Sequence, residues 1–104
     1  MLKFKNKILG YIKNIPKSRV ASYGQVAAMC GKPRGAREVG WILRRIDASD
    51  KAIPWWRVVN NKGVISIKGN WTVSKDLQAK LLQKEGVEVK KDFTLDIQKY
   101  RFKY

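Results

Sequence analysis

The chain has no histidine, a single cysteine, and only eight acidic residues against 23 lysines and arginines. Each scarcity removes a class of function. Without histidine, the commonest general base and the commonest metal ligand are missing. With Cys30 alone, neither an intramolecular disulfide nor a cysteine-rich zinc site can form, and a reducing intracellular compartment fits. No cofactor and no metal are expected. No stretch approaches the ~20 apolar residues of a membrane span. Met1-Leu2-Lys3-Phe4-Lys5 leads into no apolar signal region. These absences predict an intracellular protein with no membrane association, cytoplasmic at the nucleoid if its source is prokaryotic. There is no internal repeat, low-complexity tract or linker.

What the chain does have is positive charge. A formal charge of +15 on 104 residues repels itself unless a polyanion is near. Nucleic acid is the default partner, through phosphate neutralisation and counterion release. A membrane surface would need a basic amphipathic helix or a lipid anchor, and neither is evident. The length suits one domain with a modest core, so residues 1–104 are read as a single, monomeric unit.

Apolar periodicity supplies the elements. Phe4, Ile8, Tyr11, Ile12 and Ile15 recur at helical spacing with lysines between them, predicting a first helix to about Asn14, stopped by Pro16. Ser22 is a candidate N-cap for a second helix, Tyr23 to Met29. Gly31, Pro33 and Gly35 make a tight connection to a third helix, from about Ala36 to Ile46, which buries Val39, Ile42 or Leu43, and Ile46. Two short helices joined this way read as a helix-turn-helix. Arg57-Val58-Val59, Asn60-Asn61-Lys62-Gly63 and Val64-Ile65-Ser66 read as a β-hairpin, a candidate wing. Val73, Leu77, Leu81 and Leu82 mark a fourth helix ending at Gly86 as its C′ residue. Val87 to Val89 and Phe93 to Leu95 are candidate paired strands, followed by an aromatic and basic tail. The predicted fold is mainly α with a small β-hairpin, a winged helix-turn-helix.

Ile53-Pro54-Trp55-Trp56-Arg57-Val58-Val59 closely resembles the Pro-Cys-His-Arg-Val active-site motif of O6-alkylguanine-DNA alkyltransferases, with an indole in place of the nucleophilic sulfur. Other blocks are similar to that family in order and spacing. They are Ile15-Pro16, the run from Val20 to Ala27 (Val-Ala-Ser-Tyr-Gly-Gln-Val-Ala), Gly31-Lys32-Pro33, Ala36-Arg37-Glu38-Val39-Gly40, Asn60 to Ser66, and Leu81 to Val87. The likeness covers roughly residues 9 to 89. Trp for Cys is the mark of the alkyltransferase-like proteins, which bind damage without repairing it. The catalytic family usually carries an extra N-terminal domain, for which this chain is too short.

The resemblance implies roles. Trp55 takes the alkyl-acceptor position, facing the pocket that receives a flipped base. An indole cannot accept an alkyl group by displacement as a thiolate does, so no alkyl transfer is expected. Pro54 fixes the approach to that pocket, Trp56 departs from the family histidine beside it, and Lys68 lies where relatives place a cation over the modified base. Arg37 matches the arginine finger that replaces the extruded base, on a helix that enters the minor groove. A planar guanidinium can offset part of the cost of unstacking. Tyr23 matches the tyrosine that helps rotate the flipped nucleotide's phosphate. Ser22, Lys32, Arg34, Arg44 and Arg45 would hold the DNA backbone. Glu85 matches a glutamate behind the active site and would hold Arg57 or backbone groups. Ile46 departs from the family asparagine. The implied partners are duplex DNA carrying O6-alkylguanine and the nucleotide excision repair proteins to which the family hands such lesions.

Each residue also has an ordinary reading. Trp55 could be a core anchor, Trp56 a packed ring beside the pocket, and Tyr23 a helix-start aromatic. Ser22 could be a cap and nothing more, and Arg37 a plain phosphate contact. Lys68 could be a solvated loop lysine. Position favours the pocket for Trp55 and the finger for Arg37. Two whole-protein alternatives remain: a generic winged-helix regulator or architectural protein, and an alkyltransferase that uses Cys30, which lies off the acceptor position.

Overall fold

The computed structural model describes residues 2–46, 52–65 and 75–103. Helix α1 (Leu2–Lys13) carries Phe4, Ile8 and Ile12 on one buried stripe, with Ile15 continuing it past the helix end. The N–H groups of Asn14 and Ile15 bond three residues back, to Tyr11 and Ile12, and tighten the last turn before Pro16. Strand β1 (Ala21–Ser22) runs straight into helix α2 (Tyr23–Met29). Ser22 is extended (φ −85°, ψ 159°) and its hydroxyl accepts from the Gln25 N–H at 3.0 Å, the expected N-cap.

Helix α3 (Ala36–Arg44) follows the Gly31–Gly35 turn. It ends two residues before the predicted limit. The Arg45 and Ile46 N–H groups bond to Ile42 and Leu43, in a tight closing turn that tucks Ile46 partly against the core. Helix α4 (Lys75–Lys84) ends at Gly86, whose φ of +92° suits the predicted C′ glycine. The predicted Val73 and Ser66 lie outside the described residues.

The β structure departs from expectation. Residues 55–57 form a 3-10 turn (Trp55–Arg57), and strand β2 (Val58–Val59) pairs in parallel with β1, Ala21 to Val58 and Ser22 to Val59. Among the described residues the small sheet is therefore the β1–β2 pair rather than a hairpin strand pair of 57–59 with 64–65. The Asn60–Gly63 turn forms, closed by Asn60 Oδ1 accepting from the Lys62 and Val64 N–H groups. Val64 then bridges Thr94 in antiparallel fashion, and Leu95 N–H donates to Gly63 O. A Cβ on Gly63 would lie 2.3 Å from the Leu95 carbonyl oxygen, so only glycine admits this approach. Residues 87–89 form no strand. A turn at 90–93, with Phe93 at φ 62°, carries the chain back, and segment 93–95 pairs with 63–65. A short helix α5 (Ile97–Tyr100), not expected, is capped by Asp96.

Two buried clusters result. One joins α1, α2 and α3 with Ile53, Trp55 and Val58. The other gathers Val20, Val59, Ile65, Leu82, Val87, Leu95 and the α5 residues Ile97 and Tyr100. Trp56 packs against both. The fold is mostly helical with one two-stranded sheet. No helix among the described residues is long and apolar enough to cross a membrane.

Candidate nucleic-acid interface

The exposed face of α3 is set by its period. Val39 and Leu43 point into the core, which leaves Arg37, Gly40, Trp41 and Arg44 together on the opposite face, at i, i+3, i+4 and i+7. Arg37, Arg44 and Arg45 are not buried, and no salt bridge to Arg37 or Arg45 forms among the described residues. Arg37 is the second residue of the helix, where the backbone N–H groups already present partial positive charge. A cation there is mildly unfavourable in the free protein and suited to an anionic surface.

Lys32 and Arg34 precede α3 and border an open depression of about 430 Å³, with Pro33, Gly35 and Glu38. Lys32 is not a free cation. Its Nζ lies 3.2 Å from Glu38 and 4.6 Å from the Phe4 ring centroid. Arg34 is exposed. Ser22 is 4% exposed and its oxygen already serves as the α2 cap, so the cap reading describes it in this state. Tyr23, the first residue of α2, is half-buried, and burial pushes its phenol up to about 12 despite the pull of the Arg44 charge. It is therefore a neutral hydroxyl donor throughout the physiological range.

Trp55 is buried in this state. Its ring is 1% exposed and packs within the α1–α2–α3 core. In this state it is a core residue and not the wall of an open pocket. Pro54 (φ −78°, ψ 67°) turns the chain so that Trp55 N–H reaches Ile53 O at 2.8 Å, while helices α1, α2 and α3 supply the residues that enclose the ring. Pro54 itself is buried. Trp56 stands edge-on to Trp55, with centroids 5.9 Å apart at 87°. Lys68 lies outside the described residues.

Behind the turn, Glu85 organises a closed polar network. Arg57 donates to it through Nε (3.0 and 3.2 Å) and Nη2 (2.6 Å), while Arg57 Nη1 donates to Ile15 O at 2.7 Å. Trp56 Nε1 donates to Glu85 Oε2 at 2.9 Å, and the Ser18 N–H donates to Oε1 at 3.2 Å. Ser18, at φ 72°, also donates its hydroxyl to the Glu85 carbonyl. The Glu85 and Arg57 side chains are only 8% and 15% exposed. Burial alone would raise the Glu85 carboxyl; donors from Arg57, Trp56 and Ser18, and the Arg57 charge, outweigh it and hold the carboxyl below its usual range. The expected pairing of Glu85 with Arg57 forms. The structure adds that Trp56 directs its ring N–H donor to the same carboxylate. That hydrogen bond tethers the Trp56 ring beside Trp55.

Two residues escaped the sequence reading. Gln78 is fully buried on α4 and donates to Trp56 O (3.1 Å) and Val58 O (3.0 Å), strapping the helix to the 3-10 turn. A glutamine inside the apolar stripe of α4 was the available signal. Trp41 is 50% exposed with the Arg45 guanidinium 5.2 Å from its centroid. Its spacing of four from Arg37 was the signal there.

The chain's single cysteine lies away from the Pro54–Arg57 turn. Cys30 is the C-cap of α2, and burial pushes its thiol up against a smaller downward pull from Lys7. A raised thiol is a poor nucleophile at neutral pH. Among the described residues no group of His, Cys, Asp and Glu could hold a metal.

The architecture is that of the winged helix-turn-helix class, with a cationic α3 face beside a Pro-Trp-Trp-Arg turn braced on Glu85. Residues 3–87 match the family described as 6-O-methylguanine DNA methyltransferase, DNA binding domain, and the chain belongs to that family. A DNA base-flipping protein of Vibrio parahaemolyticus is 38% identical over 102 residues, 98% of each chain. Alkyltransferase-like protein 1 of Schizosaccharomyces pombe is 31% identical over 107 residues, 99% of this chain and 97% of its own. The crystal structure of S. pombe Atl1 in complex with damaged DNA containing O6-carboxymethylguanine has a TM-score of 0.91 at 30% identity, over 100% of this chain and 98% of that one.

Proposed function

We propose that the protein recognises O6-alkylguanine in duplex DNA by flipping the nucleotide and holding it, without transferring the alkyl group. The observation that carries this reading is the tryptophan at residue 55, in a turn that keeps Pro54 before it, Arg57 after it and Glu85 behind it but has Trp56 in place of the family histidine. The turn holds no sulfur nucleophile, while Arg57 and Glu85 remain paired behind it. Similarity to a base-flipping protein and to a protein solved on O6-carboxymethylguanine DNA supports the substrate class.

In this reading α3 lies in the minor groove. Arg37 enters the stack in place of the extruded base, Tyr23 donates its neutral hydroxyl to the rotated phosphate, and Arg34, Arg44 and Arg45 meet backbone phosphates, with Lys32 and Ser22 at the margin. Pro54, Trp55 and Trp56 form the lesion pocket with Lys68. Because the Trp55 ring is 1% exposed, the pocket has to open as the base arrives. Residues 1–104 act as one monomeric binding unit inside the cell, at the chromosome, and pass the marked lesion to nucleotide excision repair.

Tryptophan fluorescence titration with two matched duplexes, one carrying a single O6-methylguanine and one guanine, tests the reading. Mass spectrometry of the protein afterwards tests for transfer. Tighter binding to the lesion with an unchanged protein mass is the expected result. Equal, steeply salt-dependent binding to both duplexes would leave a generic winged-helix binder, and an alkyl adduct on Cys30 would make the protein an enzyme.

A further inference from the structure

Trp41 is half exposed on a surface that is otherwise cationic, and it packs into neither buried cluster of the described residues. Its indole N–H has no hydrogen-bond partner among the described residues, and the Arg45 guanidinium lies over the ring, 5.2 Å from its centroid. Between Arg37 and Trp41 sits Gly40. A Cβ built there would meet nothing within 4 Å, so internal packing does not ask for glycine. Glycine in a helix interior still costs about 1 kcal/mol relative to alanine. A stripped backbone flanked by an arginine and a bare tryptophan is a surface shaped for close approach by something outside the protein. The charge of that surface makes the approaching surface anionic.

We propose that Trp41 is a second wedge into the DNA minor groove, one helical turn beyond Arg37. This rests on the reading that α3 enters that groove. Four residues of helix advance about 6 Å, close to two base steps at roughly 3.4 Å each. Arg37 fills the gap left by the flipped nucleotide. Trp41 packs against the sugars and base edges about two steps away, and its N–H donates to a minor-groove acceptor such as adenine N3 or thymine O2. Apolar side chains inserted there part a base step and kink the duplex toward the major groove. Arg45 covers the opposite ring face and carries the cation to the flanking phosphate.

The test uses W41A, W41K and R37A with lesion-bearing and undamaged duplexes. Each duplex carries 2-aminopurine two steps from the central guanine and a dye at each end. Wild type is expected to raise the aminopurine signal and shorten the end-to-end distance. W41A should weaken binding to both duplexes about tenfold, the scale of removing a single aromatic ring from a base. It should also abolish the aminopurine rise, reduce the bend and keep the ratio between duplexes, whereas R37A should collapse that ratio. W41K adds a cation but has no ring, so it must lose the aminopurine rise as well. W41A and W41K with wild-type affinity, signal and bend would overturn the proposal and make Trp41 a contact for a protein partner instead. Wild type without lesion preference would sink the lesion reading alone, because the undamaged duplex still judges the wedge.

Discussion

The α3 face and the Glu85 network are both rich in charge, and they use it in opposite ways. Around Glu85, each of the three Arg57 nitrogens is paired and the carboxylate takes donors from Arg57, Trp56 and Ser18. Those charges are nearly buried and belong to folding. On α3, Arg37 and Arg45 reach solvent with no salt bridge among the described residues, beside a bare Trp41. Those charges add repulsion to a chain already at +15, offset in part at Arg45 by its contact with the Trp41 ring. The two regions are therefore separable by mutation: one should govern stability, the other binding.

The sharpest break comes from Glu85→Ala. It leaves a nearly buried guanidinium and an indole N–H without their acceptor, and stability should fall by roughly 3–5 kcal/mol, read by urea denaturation. Acid provides the same test without mutation. The folded carboxyl is held below its ordinary value, so its contribution is complete above the unfolded pKa, about 4.3, and is lost as pH falls through the lower folded value. Unfolding free energy should stay level down to about pH 4.5 and then drop; in Glu85→Gln that acid drop should shrink.

Arg37→Ala should do the reverse. Lesion affinity should fall by about 2 kcal/mol, roughly 30-fold, if the guanidinium offsets unstacking, while urea stability moves by less than about 0.5 kcal/mol. A matching loss of stability would erase the contrast between the two regions. Arg45→Ala should be milder, lowering the slope of log affinity against log salt by about 0.9, the value for a cation that neutralises a single phosphate. Lys32→Ala should be smallest, because an exposed ion pair is worth about 0–1 kcal/mol and this lysine already spends its charge on Glu38.

Local signals were legible where local physics dominates. Helix α2 begins and ends where Ser22 and Met29 predicted, because a cap and an apolar period act within one turn. Gly86 ends α4 for the same reason. The β pairing was not legible. Val58-Val59 looks like half of a hairpin, but its partner is Ala21-Ser22, a parallel strand far back in the chain, and a distant pairing leaves no mark on neighbouring residues. Trp56 carried no sequence signal for Glu85, 29 residues away.

By itself the sequence determined the charge, the first four helices, the family motif and the lack of sulfur in the Pro54–Arg57 turn, since each is a matter of which residues stand at which spacing. Tertiary structure alone decided what those residues face. It buried Trp55, closed the hydrogen bonds of Trp56 and Arg57 on Glu85, placed Gln78 across the turn, and left Trp41 in the open beside Arg37. The physical reason is that burial and pairing depend on elements brought together from distant parts of the chain, and a side chain's chemistry does not say which of its neighbours will arrive.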